Sequence, residues 1–210
     1  MLTGARKQGA LLVLAVALAV ALVWVLVVWE PAAEPPASHA QLDVAGVPAG
    51  GDFTLRTADG PLALQALRGQ VVLIYFGYTY CPDVCPTSLA FMSQGLSLLA
   101  PEESAQVTGV FISVDPARDT PERLATYAGY FHPRILGASD TPEVIDEVAR
   151  RYGAAYQIHE GDSATGYLVD HTSYTYVVAP DGRLREVLAH GTPPDAVAAA
   201  VRAALAGGDA

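Results

Sequence analysis

Cysteine is nearly absent from this chain: two residues in 210. That scarcity excludes a small scaffold held together by several disulfides. Basic residues are also few. The stretch from Glu30 onward carries all 22 acids and 10 of the 12 basic residues, a net charge of −12. Nucleic acid and anionic lipid both need a basic surface, so neither is expected as a partner of this part. Internal repeats are lacking, which excludes a solenoid or propeller. The one low-complexity tract is short, and everything else reads as a folded chain.

What the sequence does hold begins with "ALLVLAVALAVALVWVLVVW", residues 10–29, without a charge or a proline. As a helix rising 1.5 Å per residue, it is roughly 30 Å long, the thickness of a bilayer's hydrocarbon core. Arg6 and Lys7 precede it and Glu30 follows, so the expected orientation is N-terminus in the cytoplasm, remainder outside. The competing reading is a cleaved signal peptide, with "SHA" at 38–40 as a tolerable cleavage site. An apolar region of about 7–15 residues is usual for such peptides, and this one is longer, which favours a retained anchor. With no cysteine near its end, a lipid-modified anchor is excluded. "EPAAEPPASHA", residues 30–40, then reads as an extended, semi-rigid spacer.

Roughly 160 residues remain, enough for one domain with a substantial core. "GDFTLRTADGPLAL" predicts a hairpin about Asp59-Gly60, and Asp181-Gly182 predicts another. The continuous apolar runs at 70–77 and 107–114 predict buried central strands. Leu89, Met92, Leu96 and Leu99 recur at helical spacing and predict a helix over 86–99. Thr120-Pro121, Thr141-Pro142 and Thr192-Pro193 are each expected to start a helix, threonine as cap and proline in the first turn. "AAYQIH" predicts a further strand. The order ββ, β, α, β, α, α, β, β, β, α is mixed α/β around a largely buried sheet.

Both cysteines, Cys81 and Cys85, fall in "YTYCPDVCPTS", where a central strand gives way to a helix. The positive end of a helix dipole stabilises a thiolate there. Four-residue spacing is expected to place both sulfurs on one face of a helical turn, within reach of a disulfide. A structural staple is the weakest reading, since so short a loop constrains the unfolded chain little. A redox couple and a metal site stay open. Two thiolates with one imidazole form a soft donor set suited to Cu(I). His39, His132, His159 and His190 read as solvated spacer or turn residues. His171 differs, because "DHTSYTYVV" places it just before a β-rich run that should join the sheet beside the cysteine turn. Asp170 is its expected orienting or tuning neighbour. In "DPARDTPE", Arg118 and Asp119 are expected to pair.

"YFGYTYCPDVCP", "VFISVDPARDTPE" and "YLVDHTSYTYVVAPDGR" together resemble the Sco/SenC family of membrane-anchored copper proteins. The resemblance implies an α/β, thioredoxin-like fold with an N-terminal single transmembrane helix. It implies a copper site made by Cys81, Cys85 and His171, open to Cu(I) and Cu(II). It divides the chain into a cytoplasmic stub and anchor (1–30), an Ala/Pro-rich linker (31–47) and a copper-binding domain (48–210). The location implied is the bacterial inner membrane, crossed once, with the domain in the periplasm. The expected role is metallochaperone rather than enzyme: copper delivery to the dinuclear centre in subunit II of cytochrome c oxidase. The alternative is a thiol–disulfide oxidoreductase that reduces the cysteines of that centre through Cys81 and Cys85. Other copper carriers and a periplasmic thioredoxin-like reductant are implied partners. Tyr80 departs from the His or Phe of many relatives, with little consequence expected. Ser173 stands where thioredoxin-like oxidoreductases carry a cis-proline. Its absence opens the thiols to a metal and favours copper.

Overall fold

The computed structural model describes residues 3–28, 48–163 and 166–207. The spacer, His39 and the cleavage-site triplet lie outside the described residues. The chain divides into two units, Met1–His39 and Ala40–Ala210.

The described element of the first unit is one helix, α1 (Thr3–Val28). Leu11, Leu14, Leu18, Leu22 and Trp24 are each more than half exposed, so the helix is apolar around its circumference rather than on one face. Among the described residues, no helix is long and apolar enough to cross a membrane.

In the second unit the two apolar runs become β3 (Val71–Gly77) and β4 (Val107–Ser113), with all seven positions of each buried. They pair in parallel, and β5 (Ile135–Ala138) continues on the far side of β4. On the other side β8 (Thr175–Val178) runs antiparallel to β3, and β9 (Leu184–Leu188) antiparallel to β8. The sheet order is β5-β4-β3-β8-β9. β1 (Thr54–Thr57) and β2 (Gly60–Ala63) form the first expected hairpin. Gly60, at φ 118°, supplies the backbone that its turn requires.

α2 (Val84–Ser97) lies between β3 and β4, followed by the short α3 (Pro101–Ala105). α4 (Pro121–Phe131), α5 (Pro142–Tyr152) and α6 (Pro194–Ala206) complete the fold. α2 starts two residues before the expected position. Pro86 sits in its first turn, where no intrahelical donor is needed, so proline is tolerated there. Leu89, Met92 and Leu96 are at most 1 % exposed, and burying each contributes about 1.5–3 kcal/mol. At α4 the expected cap forms, with Thr120 Oγ1 accepting from the Arg123 N–H at 3.3 Å. α6 starts one residue later than expected, because the Thr192 hydroxyl donates instead to the Ala189 carbonyl (2.8 Å).

Two strands were not predicted. β5 is short and holds Gly137, where a Cβ would run into the Leu124 carbonyl of α4. The close packing demands glycine, and glycine erases the strand signal. The other is β7 (Gly166–His171), which pairs antiparallel with β6 (Tyr156–Ser163) as a ribbon outside the main sheet. Val169 is the one position of β7 that is buried, so the strand shows no alternation to read.

Candidate metal centre

β3 delivers the chain to Gly77, and a tight turn follows, with the Cys81 N–H donating to the Tyr78 carbonyl at 3.2 Å. Cys81 therefore precedes α2, whereas Cys85 lies in its first turn. The two do not share a helical face as the spacing suggested. Instead the Cys85 N–H, a donor of the first turn, points at Cys81 Sγ (3.4 Å). Both cysteines are free and buried.

Gly77 makes room for Cys85. A Cβ at Gly77 would lie 2.6 Å from the Cys85 sulfur and 2.9 Å from the Phe111 ring. The turn between them is moored by Asp119. Its buried carboxylate accepts from the Thr79 N–H (2.9 Å), the Thr79 hydroxyl (2.5 Å) and the Ser113 hydroxyl (2.6 Å). Arg123 lies 3.8 Å from the same carboxylate. The expected Arg118–Asp119 pair does not form. Arg118 pairs with Asp115 three positions back across the turn that precedes α4, and Asp119 lies beside Arg123 in the first turn of α4.

His171, the last residue of β7, places Nε2 3.1 Å from Cys85 Sγ. Its Nδ1 lies 3.1 Å from the Thr172 carbonyl, which only accepts, so Nδ1 carries the proton and Nε2 keeps its lone pair for a ligand. Tyr75 and Tyr78 hold the imidazole with rings at 86° and 90° to it, centroids 6.1 and 5.9 Å away. The ligand atoms of Cys81, Cys85 and His171 lie within 4.8 Å of one another. Among the described residues this is the sole His/Cys/Asp/Glu group of that kind.

Asp170 is not brought to His171. Successive strand residues face opposite sides, and the Asp170 carboxylate meets His159 Nε2 at 2.8 Å. The ring's hydrogen-bond partner is the Thr172 carbonyl instead. His159 is exposed, as expected, but it lies in a strand and has Asp170 as its partner. His132 Nδ1 accepts from the Arg134 N–H, and exposed His190 meets the Ser88 hydroxyl at 2.9 Å. Tyr80, expected to matter little, lies under two guanidiniums: Arg123 at 4.2 Å and Arg118 at 4.9 Å from its centroid.

The electrostatics make the two sulfurs unequal. The Cys85 thiol donates to Cys81, and with the Asp83 and Cys85 N–H groups this outweighs burial, holding Cys81 at about 4. Burial, then the neighbouring Cys81, pushes Cys85 well above the ordinary thiol range. Near neutrality the pair thus holds one thiolate and one proton. The expected outcome is one thiolate per metal-free chain by ultraviolet absorbance, persisting downward from pH 7 and protonating near pH 4. Cys85→Ala, which removes the donor, raises that midpoint. Two thiols titrating together at about 8–9, the unperturbed range, would contradict the asymmetry.

The family model of SCO1/SenC matches residues 44–206. The chain belongs to the SCO1/SenC family. It is similar to a SCO2-like protein of Rickettsia conorii, 33 % identical over 175 residues, covering 82 % of this chain and 85 % of that one. It spans 51–59 % of mitochondrial SCO relatives from mouse, cattle and human. Among solved structures, Arabidopsis thaliana ScoI with copper bound matches at TM-score 0.69 and 33 % identity, over 75 % of this chain and 98 % of that one. BsSco, described with a disulfide switch and as one of the Sco family of cytochrome c oxidase assembly proteins, matches at TM-score 0.61. It is 27 % identical, over 75 % and 94 % of the two chains. The fold is thus the mixed α/β, thioredoxin-like fold of Sco proteins, and the Cys-Cys-His group sits at its cysteine turn.

Proposed function

We propose that this chain is a copper carrier that binds one ion through Cys81, Cys85 and His171 and delivers it to the dinuclear copper centre in subunit II of cytochrome c oxidase. The observation that carries the reading is His171 Nε2, a free lone pair 3.1 Å from Cys85 Sγ with its tautomer fixed by the Thr172 carbonyl. Two sulfurs and an imidazole suit Cu(I). A three-donor site lets an incoming ligand add before one leaves, so an acceptor's cysteines and histidines displace the donors stepwise. Loading requires both cysteines reduced, which calls for a thioredoxin-like reductant in an exported setting.

The apolar run of α1, with Arg6 and Lys7 near the helix's N-terminal end, supports a single-pass inner-membrane anchor that holds the carrier domain in the periplasm. Copper enters from other carriers at the same three donors.

Anaerobic titration of the reduced full-length chain with Cu(I) is expected to saturate at one ion, with two sulfur ligands and one nitrogen by X-ray absorption. A second reading, a thiol–disulfide oxidoreductase acting on the acceptor's cysteines, draws on the thiolate at Cys81 beside the buried Cys85. His171→Ala separates the two. The carrier loses Cu(I) affinity by more than the roughly 10–100-fold that follows loss of an outer-shell partner. A reductase keeps most of its activity. Wild-type affinity in the His171 variant would refute the ligand assignment.

A further inference from the structure

His171 sits on a two-stranded ribbon that is not part of the main sheet. Something other than sheet hydrogen bonds must therefore hold it on Cys85. The bonds at the ribbon's root, Thr172 N–H to the Ala155 carbonyl and Ala155 N–H to the Thr172 hydroxyl, close the ribbon on itself. Along one side a cleft of about 390 Å³ separates ribbon residues Tyr156, Ile158 and Tyr167 from the body at 114–117 and 140–142. Near the root the Tyr156 hydroxyl, on the residue paired with His171, donates to the Asp146 carboxylate of α5. On the cysteine side the attachment runs through Tyr78, whose hydroxyl accepts from the Val169 N–H at 3.3 Å, and through Arg118.

Arg118 makes an unusual number of contacts for one side chain. Its Nε donates to Asp115 at 2.5 Å and its Nη1 to the Tyr167 carbonyl at 2.9 Å. The guanidinium carbon lies 3.5 Å from the Tyr167 ring centroid. The Tyr167 hydroxyl donates to the other Asp115 oxygen at 2.6 Å, which closes the circuit. The same guanidinium lies 4.9 Å from the Tyr80 ring and 5.6 Å from the Tyr78 ring. Tyr80 directly precedes Cys81. One side chain thus touches the strand that ends in the nitrogen ligand and the turn that carries the sulfur. Only a planar, forked cation bonds a carboxylate and a carbonyl while stacking on a ring.

We propose that Arg118, fixed by Asp115 and Tyr167, is a positioning residue that seats His171 on Cys85 and so sets whether the ion is held by three donors or by two sulfurs alone. This rests on the reading of Cys81, Cys85 and His171 as the copper ligands. With the clasp made, the ribbon is seated and the imidazole adds to the thiolates. With it broken, the cysteine turn keeps its shape on Asp119, and the ribbon swings from the Ala155–Thr172 root. A two-sulfur ion results, open on the side where His171 stood.

The test uses the full-length chain, first without metal. Arg118→Gln is expected to speed hydrogen exchange at the Val169 amide by about 10–100-fold, the cost of a lost charge-assisted contact, while Ile74 and Ile112 in the main sheet keep wild-type rates. Arg118→Lys keeps the pair with Asp115 but not the fork, and follows the glutamine variant. Tyr167→Phe keeps the ring and gives an intermediate rate. Loaded with Cu(I), Arg118→Gln loses the nitrogen ligand and retains two sulfurs by X-ray absorption. Unchanged exchange at Val169, or acceleration of Ile74 and Ile112 to the same degree, overturns the proposal. Should the wild-type complex itself lack a nitrogen ligand, the copper-site reading fails, while the metal-free exchange rates still decide the clasp.

Discussion

Gly77→Ala is expected to lower Cu(I) affinity on the order of 100-fold, because a methyl there meets the Cys85 sulfur at 2.6 Å. The neighbours cannot yield: Phe111 and Tyr75, the next nearest at 2.9 and 3.1 Å, are fully buried. The overpacking alone costs about 1–3 kcal/mol, and its cheapest relief is to push the sulfur away from His171. Competition with a Cu(I) chelator measures the affinity. Gly109→Ala is the control, since its Cβ crowds Ile135 at 2.9 Å in the same sheet but not the site. It should be destabilised comparably and bind copper normally. Equal affinity in Gly77→Ala and wild type would show that the Cys85 sulfur does not occupy the space above Gly77.

Asp119→Ala is expected to destabilise the metal-free domain by about 3–5 kcal/mol, the cost of leaving three donors at a buried site without their acceptor. The carboxylate side chain has no exposed surface and serves three donors with Arg123 alongside. Without it the Thr79 N–H and the Thr79 and Ser113 hydroxyls lose their acceptor together. For a domain of this size, thermal unfolding should shift down by about 6–20 °C. Asp119→Asn keeps one acceptor oxygen and should lose less. Because Thr79 leads into Cys81, the alanine variant should also lose copper affinity, in contrast to Arg202→Ala. That change removes the exposed pair with Glu103 and should leave copper binding unchanged. A melting point within about 2 °C of wild type, roughly the effect of 1 kcal/mol or less, would contradict the mooring role.

Part of this site was legible in the amino-acid order, because local rules govern it. "VVLIYFG" can be little other than a buried strand, and the apolar spacing after Cys85 allows only a helix. A strand–turn–helix junction therefore had to surround the cysteines. Thr120-Pro121 capped its helix as expected, for the threonine hydroxyl needs no partner beyond the next turn. The Asp59-Gly60 and Asp181-Gly182 turns likewise depend on backbone freedom at one glycine each.

What local rules could not reach involves partners distant in sequence. Asp170 is adjacent to His171 in the chain, yet strand alternation turns it to the opposite face and gives it to His159. Arg118 and Asp119 are adjacent too, and each pairs elsewhere. Gly77 shows no special backbone angle. Its necessity exists only once Cys85, eight residues on, folds back over β3.

The sequence by itself determined the α/β class, the strand–turn–helix around Cys81 and Cys85, and the donor chemistry of two sulfurs with a histidine. Those follow from side-chain type and short-range periodicity. The tertiary structure decided that His171 Nε2, 86 positions downstream, stands 3.1 Å from Cys85. It also decided that Thr172 rather than Asp170 sets the tautomer, and that Arg118 joins the ribbon to the cysteine turn. Those depend on how a ribbon outside the sheet packs against a turn, and no periodicity in the chain encodes that contact.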